Sequence, residues 1–420
     1  MHSFEHRDSS MHCEEVPLDT LARQFGTPLY VYSHATLSRH YGVFDDAFSG
    51  VDHIICFSVK ANPSLAVLDT LGSLGSGADV VSGGELYRAT KAGIDAGRIV
   101  YSGVGKTTAE MMQALEAGIL MFNIESFQEL ELLDRVAGEM GVRAPVSLRV
   151  NPDVDPKTHP YVATGLMTSK FGINLEYAAS GYDRAARLEN IDVIGVDCHI
   201  GSQLTDLSPF LDAFKMINGL INKLRKKGFN IRYLDLGGGL GITYEEEEPP
   251  SPAEYASAIK KVLKDEDLTI ILEPGRNIAG NAGILLGRVL YTKETSRKNF
   301  VIVDAGMNDL IRPSLYDAYH ALMPVTISNR PEKTVDVVGP ICESGDFLAR
   351  DRKMQELRTG DLIAVMSAGA YGFSMASTYN SRPLAAEVLV KGDQFYLIRE
   401  RGTYDDLMRG ERLPDTDTPG

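Results

Sequence analysis

Between about residue 50 and residue 275 the chain alternates eight short β-branched runs with stretches of helical periodicity, and no other feature restricts the fold so tightly. The runs are His53–Val59, Ala78–Val81, Ile99–Ser102, Leu120–Ile124, Val146–Val150, Val193–Ile200, Arg232–Leu236 and Thr269–Glu273. The pieces between them are amphipathic. In Ala253–Lys264 apolar residues recur at Tyr255, Ala258, Ile259, Val262 and Leu263, a period of about 3.6 residues. Eight strands alternating with helices predict an α/β fold with a closed (β/α)8 barrel of the TIM type. An open doubly wound sheet is the alternative, and the count of eight favours closure.

After Pro274 the texture changes. Gly283–Glu294, Asn299–Asp304, Lys333–Val338, Asp361–Met366 and Glu387–Arg399 read as strands punctuated by Gly, Pro and Asn, and helical periodicity is scarce. Leu29–Tyr32 is strand-like and a candidate to join them. The expected organisation is a barrel over residues 36–278, with a C-terminal all-β domain built from 279–420 and from 1–35. A chain of 420 residues is long enough for both. The acidic run Glu245–Glu248 before Pro249-Pro250 reads as a solvated loop, and residues 1–15 carry no motif.

Composition narrows the partners. The formal net charge is −15, so there is no basic footprint for nucleic acid or for an anionic membrane surface. Any anionic ligand has to be held locally, by arginines and backbone amides. Cys13, Cys56, Cys198 and Cys342 are far apart and form no CxxC pair, so neither a disulfide framework nor a metal site is expected. Residues 1–10 are polar, and no run has the length of a signal peptide's apolar core or of a membrane span. The expectation is a soluble cytoplasmic protein with reduced thiols.

In barrels of this type the chemistry gathers at the carboxyl ends of the strands. Lys60 follows strand one, Asp79 and the Ser82-Gly83-Gly84-Glu85 turn lie at strand two, and Arg149 lies at strand five. His199 with Gly201-Ser202 ends strand six, Asp235 and Gly237-Gly238-Gly239-Leu240-Gly241 close strand seven, and Glu273-Pro274-Gly275-Arg276 closes strand eight. Each has an ordinary explanation alone: a lysine stem packed with its amine in water, a tight βα turn, a satisfied core histidine, a Glu–Arg ion pair. Six on one rim describe a site for a phosphorylated aldehyde. Lys60, its pKa expected to be lowered by burial, would supply the amine. Glycine amides and Ser202 would hold a phosphate, Glu273 would pair with a protonated ring nitrogen, and His199 would lie against the ring.

These motifs resemble the fold-type III decarboxylases that use pyridoxal 5'-phosphate. The resemblance covers roughly residues 15–400. It rests on Ser58-Val59-Lys60-Ala61-Asn62, His199-Ile200-Gly201-Ser202-Gln203, the glycine run, Glu273-Pro274-Gly275-Arg276, Cys342-Glu343-Ser344-Gly345-Asp346 and Ala370-Tyr371-Gly372. The Cys-Glu-Ser-Gly-Asp motif with Tyr379-Asn380-Ser381-Arg382 points to the diaminopimelate branch. The resemblance implies that Lys60 is the Schiff-base lysine and Cys342 the proton donor. It implies cofactor binding by His199, Ser202, Gly239, Glu273, Pro274, Gly275, Arg276 and Tyr371, and substrate binding by Arg276, Arg312, Tyr316, Glu343 and Tyr371. It further implies a homodimer in which the Cys342 segment serves the other subunit's site, and meso-diaminopimelate as substrate. Arg312 suits the distal carboxylate and Glu343 the distal ammonium. Those two residues disfavour a decarboxylase of arginine, ornithine or carboxynorspermidine. Glu273 disfavours a racemase, and the presence of Lys60 and Cys342 disfavours a non-catalytic homologue.

Overall fold

A computed structural model describes residues 2–154, 169–263 and 267–414. Lys264, the end of the helical reading above, lies outside them, as do residues 1 and 415–420 at the edges of the expected β domain. The chain forms two compact units. The first comprises Met1–Ser3, Ser33–Gly283 and Ser367–Ser374; the second comprises Phe4–Tyr32, Ile284–Met366 and Met375–Gly420. The sequence reading gave residues 367–374 to the β domain. They pack with the first unit because Tyr371 N–H donates to Ala61 O at 2.8 Å and Ala368 N–H to Gly283 O at 2.8 Å.

The first unit is a closed barrel of eight strands: β1 (His53–Ser58), β2 (Gly77–Val80), β3 (Ile99–Tyr101), β4 (Met121–Ile124), β5 (Ala144–Asn151), β6 (Ile191–Asp197), β7 (Tyr233–Asp235) and β8 (Thr269–Leu272). Each pairs in parallel with the next, and β8 returns to β1 with Ile270 opposite His53. Each of the eight runs read from the sequence between residues 50 and 275 corresponds to one strand. His199 and Glu273 lie just beyond their strands, on the connecting loops. Helix starts are defined by caps: Ser82 accepts from Glu85 N–H, and Thr107 and Ser251 form reciprocal capping boxes with Glu110 and Glu254. Each such cap stabilises its helix by about 1 kcal/mol and fixes where a loop ends. The helix predicted at Ala253–Lys264 runs Pro252–Val262.

The barrel interior changes character along its axis. Ile54, Cys56, Val100, Met121, Ile194 and Ile271 form one buried apolar cluster. Side chains two residues apart share a face in a strand. Two residues past Cys56, Val100, Met121 and Ile271 come Ser58, Ser102, Asn123 and Glu273, all buried. The interior is therefore plugged with hydrocarbon at one end and lined with hydrogen-bonding groups at the other.

The second unit holds a nine-stranded sheet. Its main order is Phe347–Gln355, Glu332–Val338, Asn299–Val303, Gly283–Glu294, Leu29–Ser33, Ala386–Lys391 and Gln394–Arg399. Leu362–Val365 pairs with Gly283–Glu294 and with Leu322–Pro324. Three details correct the sequence reading. Glu387–Arg399 is an antiparallel hairpin rather than one strand, because Gly392 turns the chain with φ 62°. Phe347–Gln355 is a strand despite its Arg-Asp-Arg-Lys centre, in which Arg350, Asp351 and Lys353 stay at the surface and Arg352 packs over the Tyr319 ring. Residues 4–17 form a three-stranded meander whose Phe4, Met11, Cys13 and Val16 join the apolar core of this unit.

Candidate active site

Lys60 lies in the single 3-10 turn Val59–Ala61 that follows β1. Its Nζ donates to Asp79 Oδ2 at 2.6 Å, and its side chain is 36% exposed, so the amine stands at the mouth of the polar end rather than inside the wall. Ser58 Oγ donates to the same Asp79 oxygen at 2.9 Å and lies 3.0 Å from Glu273 O. The expectation of a lowered amine pKa is corrected here. Burial does push it down, but the carboxylates of Asp79 and Glu273, with Tyr371, outweigh burial, and the Lys60 ammonium is held above its ordinary range. Asp79 is fully buried, and its Oδ1 has no hydrogen-bond partner.

Glu273 sits among like charges. Burial first, then Asp235, Asp79 and Asp197, hold its carboxyl well above the usual range, and Lys60 only partly opposes them. Asp235 is pushed up to about 6, chiefly by burial, against the stabilising hydrogen bonds of Gly237 N–H, Asn123 and Glu273. Asn123 Nδ2 lies 3.0 Å from Asp235 Oδ2 and 3.0 Å from Ser102 Oγ, and Ser147 Oγ donates to Asn123 Oδ1 at 2.6 Å. Such a cluster keeps protons because its members cannot all ionise together, and a cationic group brought against Glu273 favours its carboxylate form. Arg149 donates to Glu125 at 2.8 Å.

The glycine loop after β7 and the loop after β6 are built against each other. Gly238 N–H donates to His199 Nδ1 at 3.1 Å. Nδ1 is therefore the acceptor nitrogen, and burial with Arg149 and Lys60 nearby keeps the ring neutral, its pKa well below the usual value. A Cβ on Gly238 would stand 2.3 Å from Glu273 O, and one on Gly239, whose φ is +115°, would stand 2.6 Å from Gly201 O. Only glycine lets these loops approach so closely. Gly275, after Pro274, is likewise confined: a Cβ there would stand 2.9 Å from Ala61 Cβ. Arg276 opens the next short helix, is 6% exposed, and donates to Tyr244 Oη at 2.7 Å and Ser202 Oγ at 3.2 Å. Its guanidinium lies 4.8 Å from the Tyr371 ring centroid. One buried cation, one hydroxyl and a run of glycine amides form a locus for a phosphate.

The structure thus gathers Lys60, His199, Ser202, Gly239, Glu273, Pro274, Gly275, Arg276 and Tyr371 into the first unit. Arg312, Tyr316, Cys342 and Glu343 belong to the second. There Arg312 and Tyr316 bound the short helix Arg312–Tyr316, and Ser314 Oγ donates to Gly345 O, tying that helix to the cysteine loop. Asp346 accepts from Met307 N–H at 2.7 Å and Ile341 N–H at 2.6 Å, while Asn380 Oδ1 accepts from Cys342 N–H at 2.9 Å. Cys342 is the exposed cysteine; Cys13, Cys56 and Cys198 are buried. Sequence reasoning missed Tyr244, Asn123 and His320, the last donated to by Arg312. Each is a hydrogen-bond partner of a residue singled out from the sequence (Arg276, Asp235 and Arg312), and no local pattern distinguishes such a residue from an ordinary Tyr, Asn or His.

The donor set fits pyridoxal phosphate: an amine, a buried proton-holding carboxyl, a neutral imidazole and a phosphate locus stand on one rim. Residues 34–280 match the family model of the pyridoxal-dependent decarboxylase, pyridoxal binding domain. The chain is 54% identical over 413 residues to the diaminopimelate decarboxylase of Pseudomonas aeruginosa, covering 98% of this chain and 99% of that one. The chain belongs to the diaminopimelate decarboxylase family. Solved diaminopimelate decarboxylases agree in fold. That of Helicobacter pylori, complexed with L-lysine, has a TM-score of 0.91 at 44% identity over 93% of this chain and 98% of its own. That of M. jannaschii, also with L-lysine, has a TM-score of 0.94 at 40% identity over 98% of each chain.

Proposed function

We propose that the protein decarboxylates meso-2,6-diaminopimelate at its D-configured centre, giving L-lysine and carbon dioxide, the last step of lysine biosynthesis, with pyridoxal 5'-phosphate as cofactor. The end-to-end match at 54% identity carries this reading, and the barrel rim bears the residues assigned here to the cofactor. When bound, the cofactor supplies an aldehyde for the amine and a ring that takes up the electron pair left as the carboxylate departs. Lys60 Nζ anchors the cofactor, and Asp79 balances the charge on that nitrogen. Glu273 would pair with the ring nitrogen and keep it protonated. His199 is uncharged and adds packing surface without competing for that proton. Ser202, Arg276 and the glycine amides bind the phosphate, and Tyr371 covers the Arg276 guanidinium.

Arg312 takes the distal carboxylate and Glu343 the distal ammonium, with Tyr316 beside them. Cys342 delivers a proton to the carbon that lost carbon dioxide, so a C–C bond is replaced by a C–H bond. We place the enzyme in the cytoplasm as a homodimer whose cysteine loop completes the other subunit's site. Among the described residues no helix is long and apolar enough to cross a membrane, and the four cysteines are free thiols.

The test is carbon dioxide release from meso-diaminopimelate, ornithine and arginine, with and without added cofactor. A site whose buried polar groups need the distal carboxylate is expected to prefer diaminopimelate by about 10⁴ or more. Equal release from ornithine would instead favour a decarboxylase of another basic amino acid. Cys342→Ala is expected to lower kcat about 10²-fold, as for loss of a general acid, with KM changed much less. An unchanged kcat removes Cys342 from the donor role.

A further inference from the structure

We infer that His320 is a positioning residue that sets the recognition of the substrate's distal carboxylate through Arg312. This rests on the assignment of Arg312 made above. His320 is fully buried and Arg312 is 6% exposed. His320 Nδ1 lies 2.8 Å from Met366 O. A carbonyl can only accept, so Nδ1 carries the hydrogen and Nε2 of the neutral ring carries the lone pair. That lone pair accepts Arg312 Nε–H at 3.2 Å.

The anchor behind the histidine is firm. Met366 follows the strand Leu362–Val365, and its own N–H donates back to Ala321 O at 2.8 Å. Met366 thus holds the His320-Ala321 segment through both its carbonyl and its N–H. The ring holds the Nε edge of the guanidinium, and the Tyr316 ring centroid lies 6.0 Å from its carbon. Since Nε–H is committed to His320, a carboxylate bound by two parallel hydrogen bonds must meet the two Nη nitrogens end-on. The imidazole therefore decides which way the arginine fork faces.

L-lysine retains the carboxylate that Arg312 is assigned to read, and 1,5-diaminopentane lacks it. Two variants of the full-length holoenzyme separate positioning from scaffolding. His320→Asn keeps a donor for Met366 O and loses the acceptor for Arg312. His320→Gln keeps an acceptor that reaches Arg312 and loses the fixed donor to Met366. Losing one charge-assisted hydrogen bond should weaken L-lysine binding, and raise KM for diaminopimelate, about tenfold in His320→Asn. Affinity for 1,5-diaminopentane and kcat should stay within about twofold, and His320→Gln should lie nearer the parent. The ratio of the two affinities is the readout, because a general loss of fold lowers both together. A reversed ranking, with His320→Gln the weaker L-lysine binder, or an unchanged ratio in His320→Asn, overturns the proposal. Arg312→Ala serves as the separate control: undiminished L-lysine binding there refutes the assignment of Arg312 itself, whatever the histidine does.

Discussion

Lys60→Ala is expected to abolish decarboxylation, lowering kcat by about 10⁴ or more, which at about 1.4 kcal/mol per decade raises the barrier by at least ~5.5 kcal/mol. The visible absorption of cofactor linked to the protein should vanish with it. Two effects must be separated. The amine is the proposed anchor for the aldehyde, and it is also the counter-ion of Asp79, a buried carboxylate 2.6 Å away whose other oxygen has no partner. Removing Lys60 strips the charge partner from a group that cannot reach water, and that alone costs stability. Lys60→Arg keeps a cation beside Asp79 but offers no amine able to condense with an aldehyde. It should therefore recover the melting temperature lost in Lys60→Ala and none of the activity. Full turnover by Lys60→Ala, with no cofactor retained, would falsify the assignment of the barrel rim as the reaction centre.

The barrel was legible because eight short β-branched runs alternate with stretches of helical periodicity and the count closes at eight. Cys56 then Ser58, Met121 then Asn123, and Ile271 then Glu273 each pass from hydrocarbon to hydrogen-bonding group on one face, so the sequence itself marks which strand end is polar. The glycines were legible for a related reason: loops that nearly touch, as Gly239 does Gly201, admit no Cβ. What stayed hidden depends on contacts between residues far apart in the chain. The charge state of Lys60 was misjudged because burial is visible in a strand-end run, while the opposing carboxylates come from Asp79 on β2 and Glu273 beyond β8. Phe347–Gln355 was missed because a strand at a sheet edge needs apolar residues on one face only, and its charged centre masks the alternation. His320 looks like any histidine after a short helix. Its role emerges only when Met366, 46 residues on, fixes its tautomer.

Glu273→Gln should be the second most damaging change, lowering kcat about 10²- to 10³-fold, the usual loss when one preorganised electrostatic partner is removed. The amide has nearly the shape of the carboxyl and removes no packing. It cannot become an anion, and that is the property the proposed role requires. Burial and the neighbouring Asp235, Asp79 and Asp197 raise the proton affinity of Glu273, and Lys60 only partly opposes them. A protonated pyridine nitrogen held against it would favour the carboxylate, since the proton on the ring and the charge on Glu273 would stabilise each other. Glutamine cannot carry that charge, so it would not support a protonated ring nitrogen, and the ring would take up the electron pair less well. Lys60 and the Ser202–Arg276 locus are untouched, so the variant should still bind cofactor, with KM for diaminopimelate within about threefold of the parent. Glu273→Asp retains a carboxyl at a longer reach and should fall between the two. A glutamine variant that turns over at the parental rate with cofactor bound would show that the carboxyl does not serve as the ring nitrogen's partner, and the raised proton affinity of this cluster would then need another explanation.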